Sequence, residues 1–343
     1  MNYICTWLCI DSPGEESNYP QTGISSSSQK HQLIYWKCLI TFYLTSKRLN
    51  KTEKHLLFTN TSHFPIIDKI DTLKLLEQLK VDIILTDFKY KTPTGYHGRW
   101  RNQFYEFSIF EYISKNFSQS LDMFLLLDSD CIFLKPTNDL FNQAIQDNGF
   151  MSYDMYYPEN KELNGLSRLG MKDVYESLLG YKIDVTPKYF GGEFFLSNQK
   201  NIKKIFLDFD ELWPKLLLKN EQKIKKFNEE AQVLSFIFYK NAFNEGAANK
   251  FIRRIWTNPV FYRDVLPTDI NLMIWHLPAE KTLGLNLLYK KLLSQYLTPS
   301  QKWNNATYLD FIKKTFGIPN LSFNNKFCYY FNTYINALKK RFY

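Results

Sequence analysis

The sequence predicts an α/β protein whose mixed, mostly parallel sheet is flanked by helices and followed by a helical C-terminal extension. Short apolar runs alternate with longer helical patterns through the first 140 residues. Such alternation is typical of βαβ units, which build parallel sheets. From residue 285 the pattern stays helical to the end of the chain. At 343 residues, the chain is long enough for one α/β core with an appendage.

The individual elements follow from the spacing of apolar residues. Strands are predicted at residues 3–10, 55–59, 81–86 and 123–127, and helices at 29–49, 68–80 and 99–116. Residues 11–28 and 89–98 are predicted to be loops, and the first is long enough to cover a site. Later strands are predicted at 189–197, 251–256 and 272–275, and later helices at 201–219 and 229–239.

The composition narrows the class of protein. A net charge of +9 favours acidic partners, but zinc-finger spacing, an RNA-binding aromatic pattern and an isolated basic block are all missing from the sequence. We therefore predict no nucleic-acid partner. The five cysteines are scattered without a Cys-x-x-Cys pair, which favours reduced cysteines in a cytosolic protein. No apolar run reaches the roughly 20 residues of a transmembrane helix.

Two acids at the end of an apolar strand are the most informative feature. Asp128 and Asp130 follow the run Phe124-Leu125-Leu126-Leu127 and are separated by Ser129. Ligands of open α/β sheets bind outside the carboxyl ends of the strands. Two carboxylates there can hold a divalent cation that neutralises a diphosphate. The alternative is a pair of solvated turn acids, which is less expected after so apolar a strand.

This pattern resembles the Asp-x-Asp motif of nucleotide-sugar glycosyltransferases that have the GT-A fold. Further landmarks, in the same order, resemble the retaining family that contains glycogenin and bacterial lipooligosaccharide galactosyltransferases. They are the helix at 99–116 with Arg99 and Arg101, the strand segment Phe190-Gly191-Gly192-Glu193, the acidic helix start Asn228-Glu229-Glu230, and the late segment Trp275-His276 with Lys281.

The chain also departs from that family at several of these landmarks. Gly-Gly-Glu stands where the family has Asn-Ser-Gly, and Glu-Glu stands where it has Asp-Gln-Asp. The spacing from His276 to Lys281 is one residue shorter than in the family and lacks its glycine. Gly-Gly followed by paired acids is also similar to the blood-group transferase family. The resemblance therefore implies the fold and the reaction class and leaves the exact family open.

The resemblance implies a role for each candidate residue. The cation, Mn²⁺ or Mg²⁺, would be held by Asp128, Asp130 and His276. The donor would be bound by Arg101, Asp128, Gly191, Gly192 and Lys281. Glu230 is our first choice for the catalytic carboxylate and Glu193 the second.

Each of these roles has a plainer structural alternative. His276 could be a core histidine satisfied by a backbone carbonyl, and Arg101 and Lys281 could be solvated charges. Glu230 could stand at the start of its helix only because a carboxylate is stabilised by the positive end of the helix dipole. Two glycines inside an aromatic strand indicate a bulge or a close backbone approach, which a sugar ring lying there would explain.

The predicted function is metal-dependent transfer of a sugar from a nucleotide diphosphate donor, such as a UDP-sugar, to a glycan or lipid-linked glycan. By resemblance, the setting is bacterial surface polysaccharide or lipopolysaccharide synthesis. We predict a catalytic domain at residues 1–284, with a nucleotide-binding half at 1–136 and an acceptor half at 137–284, followed by the extension at 285–343. The donor sugar, acceptor, linkage, stereochemistry and oligomeric state stay open.

Two rival functions and one question of location also stay open. A phosphohydrolase of the haloacid dehalogenase type also has Asp-x-Asp after an apolar strand, and a non-catalytic glycan-binding protein could retain a transferase fold. The predicted location is cytoplasmic. Residues 320–343 mix aromatic and basic side chains. They could bind the anionic inner face of the cell membrane peripherally, or pack on the body of the protein.

Overall fold

The protein is described here from a computed structural model. The structure describes all residues except 18, 20–21, 99–100, 244–247, 299–302, 323–324, 328 and 332–343. The chain forms two compact units built from interleaved segments. The first contains residues 1–32, 52–128 and 138–249, and the second contains 33–51, 129–137 and 250–343. The predicted domain division at residue 284 stays a prediction.

The first unit is organised around a six-stranded sheet with the order β5-β2-β1-β6-β9-β8. Four strands run parallel, and β9 pairs antiparallel with both β6 and β8. The sheet is therefore mixed and mostly parallel, as predicted. A short antiparallel pair, β3 with β4, lies beside it in the sequence. The strands of this unit are β1 (Asn2–Leu8), β2 (Lys54–Thr59), β3 (Ile66–Ile67), β4 (Ile70–Asp71), β5 (Val81–Leu85), β6 (Met123–Leu127), β8 (Phe150–Asp154) and β9 (Phe190–Asn198).

Among the described residues, six α-helices belong wholly to the first unit, and a seventh, α1 (Gln29–Leu49), begins in it. The six are α2 (Thr72–Gln78), α3 (Tyr105–Asn116), α4 (Asn138–Gln146), α5 (Arg168–Leu179), α6 (Gln199–Glu221) and α7 (Glu230–Lys240), of which α3 is preceded by a 3-10 turn at Arg101–Phe104. The bounds of α1 coincide with the predicted helix.

Aromatic packing holds three of these helices on one another and on the sheet. The rings of Phe107 on α3 and Phe209 on α6 stack with centroids 3.6 Å apart. Phe110 on α3 contacts Phe195 on β9 at 4.7 Å, and Phe238 on α7 stacks on the same ring at 6.2 Å. Such pairs add to the free energy of burial beyond their area. The high aromatic content of the chain is thus used largely in this core.

Within its described residues, the second unit contains a three-stranded sheet, most of α1 and two further α-helices. Its strands are β7 (Cys131–Phe133), β10 (Ile252–Arg254) and β13 (Ile274–His276), with β13 in the centre, and a separate hairpin is formed by β11 (Thr257–Asn258) and β12 (Tyr262–Arg263). The helices are α8 (Gly284–Leu297) and α9 (Asn305–Phe316). The Tyr308 hydroxyl on α9 donates to the Phe133 carbonyl at 2.7 Å, which fixes α9 beside β7.

Several predicted elements differ from the structure for local reasons. The predicted helix at 68–80 is shorter, because the Asp71 side chain accepts the N–H of Lys74 and starts α2 at Thr72. The predicted unbroken helical pattern after residue 285 is interrupted, since α8 ends at Leu297 and Asn304 caps α9. Helix α5, for which no element was predicted, begins at the cap Ser167 and ends at the left-handed Gly180.

The C-terminal stretch is only partly within the described residues. The Tyr329 side chain is buried, whereas Phe327, Tyr330 and Phe331 are more than half exposed. Residues 332–343 of the predicted membrane-binding segment lie outside the described residues. Among the helices that the structure describes, none is long and apolar enough to cross a membrane.

A buried carboxyl group in the second unit predicts a pH dependence of stability. Glu280 accepts hydrogen bonds from the Thr257 and Tyr329 hydroxyls and, at 2.9 Å, from the Gly284 N–H. Burial raises the pKa of Glu280 to about 7. A raised carboxyl pKa favours the folded state fully below the unfolded pKa, near 4.3, and this stability is lost as the pH rises through about 7.

We therefore expect Glu280→Gln, whose amide does not ionise, to flatten the fall in unfolding free energy between pH 5 and pH 8. For the wild type, this one group contributes a fall of up to about 3 kcal/mol. Urea unfolding at the two pH values measures it. The control is Glu77→Gln at an exposed position of α2. An equal fall for Glu280→Gln and wild type would show that Glu280 does not titrate in this range.

Candidate active site

The end of β6 brings two of the predicted residues together in the first unit. All five residues of β6 are buried between β1 and β9, and Asp128 follows directly. The Asp128 N–H donates to the Glu193 carbonyl at 3.2 Å. This hydrogen bond continues the β6–β9 pairing by one step, because Leu127 pairs with Phe194. Asp128 is therefore fixed at the carboxyl end of a central strand, as predicted.

Three glutamates in the first unit place buried carboxyl groups close to this point. Glu106 on α3, Glu193 on β9 and Glu230 at the start of α7 are each only 1% exposed. Burial, together with the charge of Asp128, raises the pKa of Glu106 well above its usual range. Burial, followed by the charges of Glu229 and Glu106, does the same to the pKa of Glu230. Carboxyl groups with raised pKa values inside a site are typical of acid–base and sugar chemistry.

The glycines of β9 make room for two of these carboxyl groups. A side chain at Gly191 would meet the carboxylate of Glu193, and one at Gly192 would meet that of Glu230. The pairing with β8 also breaks here, since Tyr153 pairs with Gly191 while Ser152 pairs with Phe195. Both expectations for glycines in a strand, a bulge and a close approach, are met. The groups that approach are the protein's own carboxylates.

Asp130 lies in the second unit and has two basic neighbours there. Cys131 pairs with His276 across β7 and β13, and the Leu277 N–H donates to the Asp130 carbonyl at 3.1 Å. His276 Nε2 lies 3.3 Å from Asp130 Oδ1, and the Lys281 ammonium forms an ion pair with Asp130 Oδ2. Burial opposes ionisation, but Lys281 and His276 hold the pKa of Asp130 well below its usual range. Asp130 is thus a buried, fully ionised carboxylate.

The predicted metal ligands are Asp128, which belongs to the first unit, and Asp130 and His276, which lie together in the second. Two carboxylates and one imidazole suit Mn²⁺ or Mg²⁺. Neighbouring ligands of one such ion lie about 3 Å apart, given metal–ligand distances near 2.1 Å, and the Asp130–His276 distance of 3.3 Å is close to that. Asp130 and His276 of the second unit therefore fit one such ion, and the part of Asp128 as a ligand stays a prediction.

Arg101 lies at the same carboxyl edge of the sheet, beside a small open cavity of about 40 Å³. The cavity follows the carboxyl ends of the parallel strands β1, β2 and β5 and is lined by Asp11, Asn60 and Lys91 among others. The Arg101 guanidinium donates to the Thr92 carbonyl at 2.8 Å, which fixes its direction. Arg99, the other arginine named above, lies outside the described residues.

Hydrogen bonds fix several residues of the predicted loop at 11–28 beside this cavity. The Ser17 N–H and the Ser26 hydroxyl both donate to the Asp11 carboxylate, at 3.1 and 2.6 Å. The Asn102 N–H donates to the Ser17 hydroxyl at 3.1 Å, so the loop is tied to the start of the turn that carries Arg101. Asp11, Ser12 and Glu15 of this loop line the cavity, and the prediction that the loop covers a site stays a prediction.

No family model matches the chain, and no curated protein matches it in sequence. Among solved structures, an active-site mutant of LgtC is similar, with a TM-score of 0.50 and 11% identity over 85% of this chain and 95% of that one. The chain has a GT-A fold.

Two further GT-A structures are similar at lower scores. The galactosyltransferase LgtC in complex with donor and acceptor sugar analogues has a TM-score of 0.48 and 11% identity over 85% of this chain and 95% of that one. Mouse xyloside xylosyltransferase 1, in its apo form, has a TM-score of 0.45 and 12% identity over 80% of this chain and 97% of that one. The predicted GT-A fold is confirmed at an identity too low for sequence comparison to detect.

Within the GT-A fold, the predicted residues fall into separate groups. The first unit groups the predicted acids and glycines of β6, β9 and α7, and the second groups Asp130, His276 and Lys281.

Glu106 was not predicted as a site residue. It stands in the run Phe104-Tyr105-Glu106-Phe107, and an acid inside so aromatic a helix pattern was the available signal, because such a position faces the core.

The pair of Asp130 and Lys281 predicts a large and specific stability effect. Both side chains are more than nine-tenths buried. Removing one charge of a buried pair leaves the other unpaired and costs about 3–5 kcal/mol. We expect Asp130→Asn to lower the unfolding free energy by that amount and Lys281→Met, added to it, to restore a large part. Guanidinium unfolding of the three proteins measures both effects.

The matched control is Asp173→Asn, which breaks the ion pair with Lys225 at 2.7 Å, where both side chains are more than half exposed. An exposed pair contributes about 0–1 kcal/mol. If Asp130→Asn cost no more than this control, the pair would not be buried as described. Activity data on Asp130→Asn alone would also be ambiguous, so Asp128 is the better position for testing catalysis.

Proposed function

We propose that the protein is a metal-dependent glycosyltransferase that moves a sugar from a nucleotide diphosphate donor, such as a UDP-sugar, to a glycan or lipid-linked glycan. The observation that carries the proposal is the grouping of Asp128, Glu193 and Glu230 at the carboxyl end of β6. In an open α/β sheet that edge is where ligands bind. The GT-A fold supports the proposal, since LgtC, which shares it, is a galactosyltransferase.

The proposed cation is Mn²⁺ or Mg²⁺, held by Asp128, Asp130 and His276. The donor set supports this assignment, as does the 3.3 Å separation of Asp130 and His276. Such a cation supplies Lewis-acid stabilisation of the negative charge that develops on the leaving diphosphate. Lys281 keeps Asp130 ionised, and therefore able to act as a ligand, through their ion pair.

The proposed nucleoside subsite is the cavity at the carboxyl ends of β1, β2 and β5. Asn60 and Asp11 provide polar groups in its wall, and Arg101 provides a positive charge at its edge. A nucleoside diphosphate needs both features, because its base and ribose accept and donate hydrogen bonds while its phosphates are anionic. The proposal keeps Arg101 and Lys281 as donor-binding residues.

The carboxyl groups of Glu193 and Glu230 are proposed to act on the sugar. A sugar that loses its leaving group becomes cation-like, and a buried carboxylate stabilises that charge more strongly than water does. A carboxylate could also take the proton of the acceptor hydroxyl or form a covalent bond with the sugar. These schemes differ in stereochemistry, so Glu230 and Glu193 are assigned to the transfer step without choosing between retention and inversion.

The proposed setting is synthesis of a bacterial surface polysaccharide or lipopolysaccharide, in the cytoplasm and at the inner face of the membrane. The exposed aromatic side chains Phe327, Tyr330 and Phe331 support a membrane contact. The basic residues Lys339, Lys340 and Arg341 follow in the sequence. Aromatic and basic groups together favour the interface of an anionic bilayer.

A donor panel tests the proposed activity directly. With Mn²⁺ present, we expect hydrolysis or transfer from one nucleotide sugar well above the rest. We expect Asp128→Asn and Glu230→Gln to lower kcat/KM by about 10²–10⁴-fold, because each removes stabilisation of the transition state. A phosphohydrolase would instead cleave simple phosphate esters, and a glycan-binding protein would do neither. Either outcome would reject the proposed function.

The membrane contact is tested by flotation with vesicles containing phosphatidylserine. Because Tyr329 is buried and donates to Glu280, the truncation is best made after residue 331 rather than at 320. We expect the full chain to float and the protein lacking residues 332–343 to float less, with raised salt weakening both. The control uses vesicles of phosphatidylcholine alone. Equal flotation of both proteins would remove the role of this segment.

A further inference from the structure

Gly191 and Gly192 need an explanation that backbone conformation does not supply. Neither residue has the positive φ that favours glycine. Glycine inside a strand weakens it, because the unfolded chain is more flexible and the strand lacks a side chain to pack. What distinguishes Gly191 and Gly192 is that neighbouring side chains lie where a side chain at either position would begin.

The space beside Gly192 contains the carboxyl group of Glu230. A Cβ atom built on Gly192 would lie 3.3 Å from Cδ and 3.8 Å from Cγ of Glu230, and its distance to Oε1 would be shorter than real contacts allow. A Cβ atom on Gly191 would lie 2.8 Å from Cδ of Glu193 and 2.8 Å from Sδ of Met155. In both cases the three nearest atoms belong to side chains. The space that a side chain at Gly191 or Gly192 would need is therefore next to the carboxyl group of Glu193 or Glu230.

The same stretch of β9 is also tied to the first aspartate of the Asp-x-Asp motif. The Glu193 carbonyl accepts the Asp128 N–H at 3.2 Å. The pairing of β9 with β8 skips the residues between Gly191 and Phe195. This irregular stretch therefore carries one carboxyl group, makes room for a second, and bonds the backbone of Asp128.

We propose that Gly191 and Gly192 are positioning residues for sugar transfer: their missing side chains leave the space in which Glu193 and Glu230 are held against β9. The inference rests on the proposed function, because it takes these carboxyl groups to act on the sugar. Catalysis is sensitive to such placement, since an error of about 1 Å in a reacting group can cost about 10²-fold in rate.

The first test is the kinetics of Gly192→Ala with the preferred sugar nucleotide and Mn²⁺. We expect kcat to fall by about 10²-fold while KM for the donor changes less than about threefold, because the displaced group acts in the transition state. The control is Gly98→Ala in the same unit, where a Cβ atom would meet no heavy atom within 4 Å and φ is not positive. The control should match the wild type.

The second test measures the contact itself, without activity. In Glu230→Asp the carboxyl carbon takes roughly the place of Cγ, which lies 3.8 Å from the added Cβ, so the clash with alanine at position 192 is relieved. We expect Gly192→Ala to lower the Tm of the wild type by several degrees and that of Glu230→Asp by much less. This double-mutant cycle stays informative even if Gly192→Ala alone folds poorly.

The two tests have distinguishable failures. Equal Tm losses in both backgrounds would show that the glycine does not make room for Glu230. A coupled Tm effect with unchanged kcat would show that the placement of Glu230 does not matter for turnover. Either result overturns the positioning role. A wild-type protein that turns over no sugar nucleotide would overturn the proposed function instead, while the Tm cycle would still report on the contact.

Discussion

The hydrogen bond from the Asp128 N–H to the Glu193 carbonyl, at 3.2 Å, joins the end of β6 to the glycine-containing part of β9. It fixes where the parallel half of the sheet meets the antiparallel strands. On one side of this hydrogen bond lies the Asp-x-Asp turn. On the other side lies a stretch of β9 in which Gly191 and Gly192 have no side chains. This junction fixes the backbones of Glu193 and of Asp128, the first proposed ligand of the cation.

Charge in this region is arranged in two different ways. In the second unit, Asp130 is balanced by Lys281 and His276, so burial does not prevent its ionisation. In the first unit, burial raises the pKa values of Glu106 and Glu230, and the charges of neighbouring acids raise them further. A metal ligand has to be ionised, whereas a group that exchanges protons with a substrate needs a pKa nearer to neutrality. The two environments match these two requirements.

Much of the framework could be predicted from the sequence because its signals are local. The apolar run at β6 and its two acids predicted the strand and the turn, and α1 was predicted to its exact ends. The positions of Asp128 and Glu193 near each other required the GT-A resemblance as well, since 65 residues separate them. Order along the chain does not show that β9 returns antiparallel beside β6.

Other features could not be predicted, for physical reasons. The ion pair of Asp130 with Lys281 depends on how β13 and the turn after it meet β7, which no local pattern encodes. In the sequence, a bound sugar was the simpler explanation for Gly192, because its neighbour in space, Glu230, lies on a separate helix. The aromatic residues around Glu106 indicated a position facing the core, but they could not show that its carboxyl group lies near Asp128, which is on a separate element.

The most direct test of the account is the position of a bound ion. A crystal of the protein grown with Mn²⁺ and a nucleoside diphosphate would show the ion by anomalous scattering at the manganese edge. We predict a peak about 2.2 Å from a carboxylate oxygen of Asp128, from one of Asp130 and from Nε2 of His276. A nucleotide bound with manganese held elsewhere, or with none at these three side chains, would contradict it.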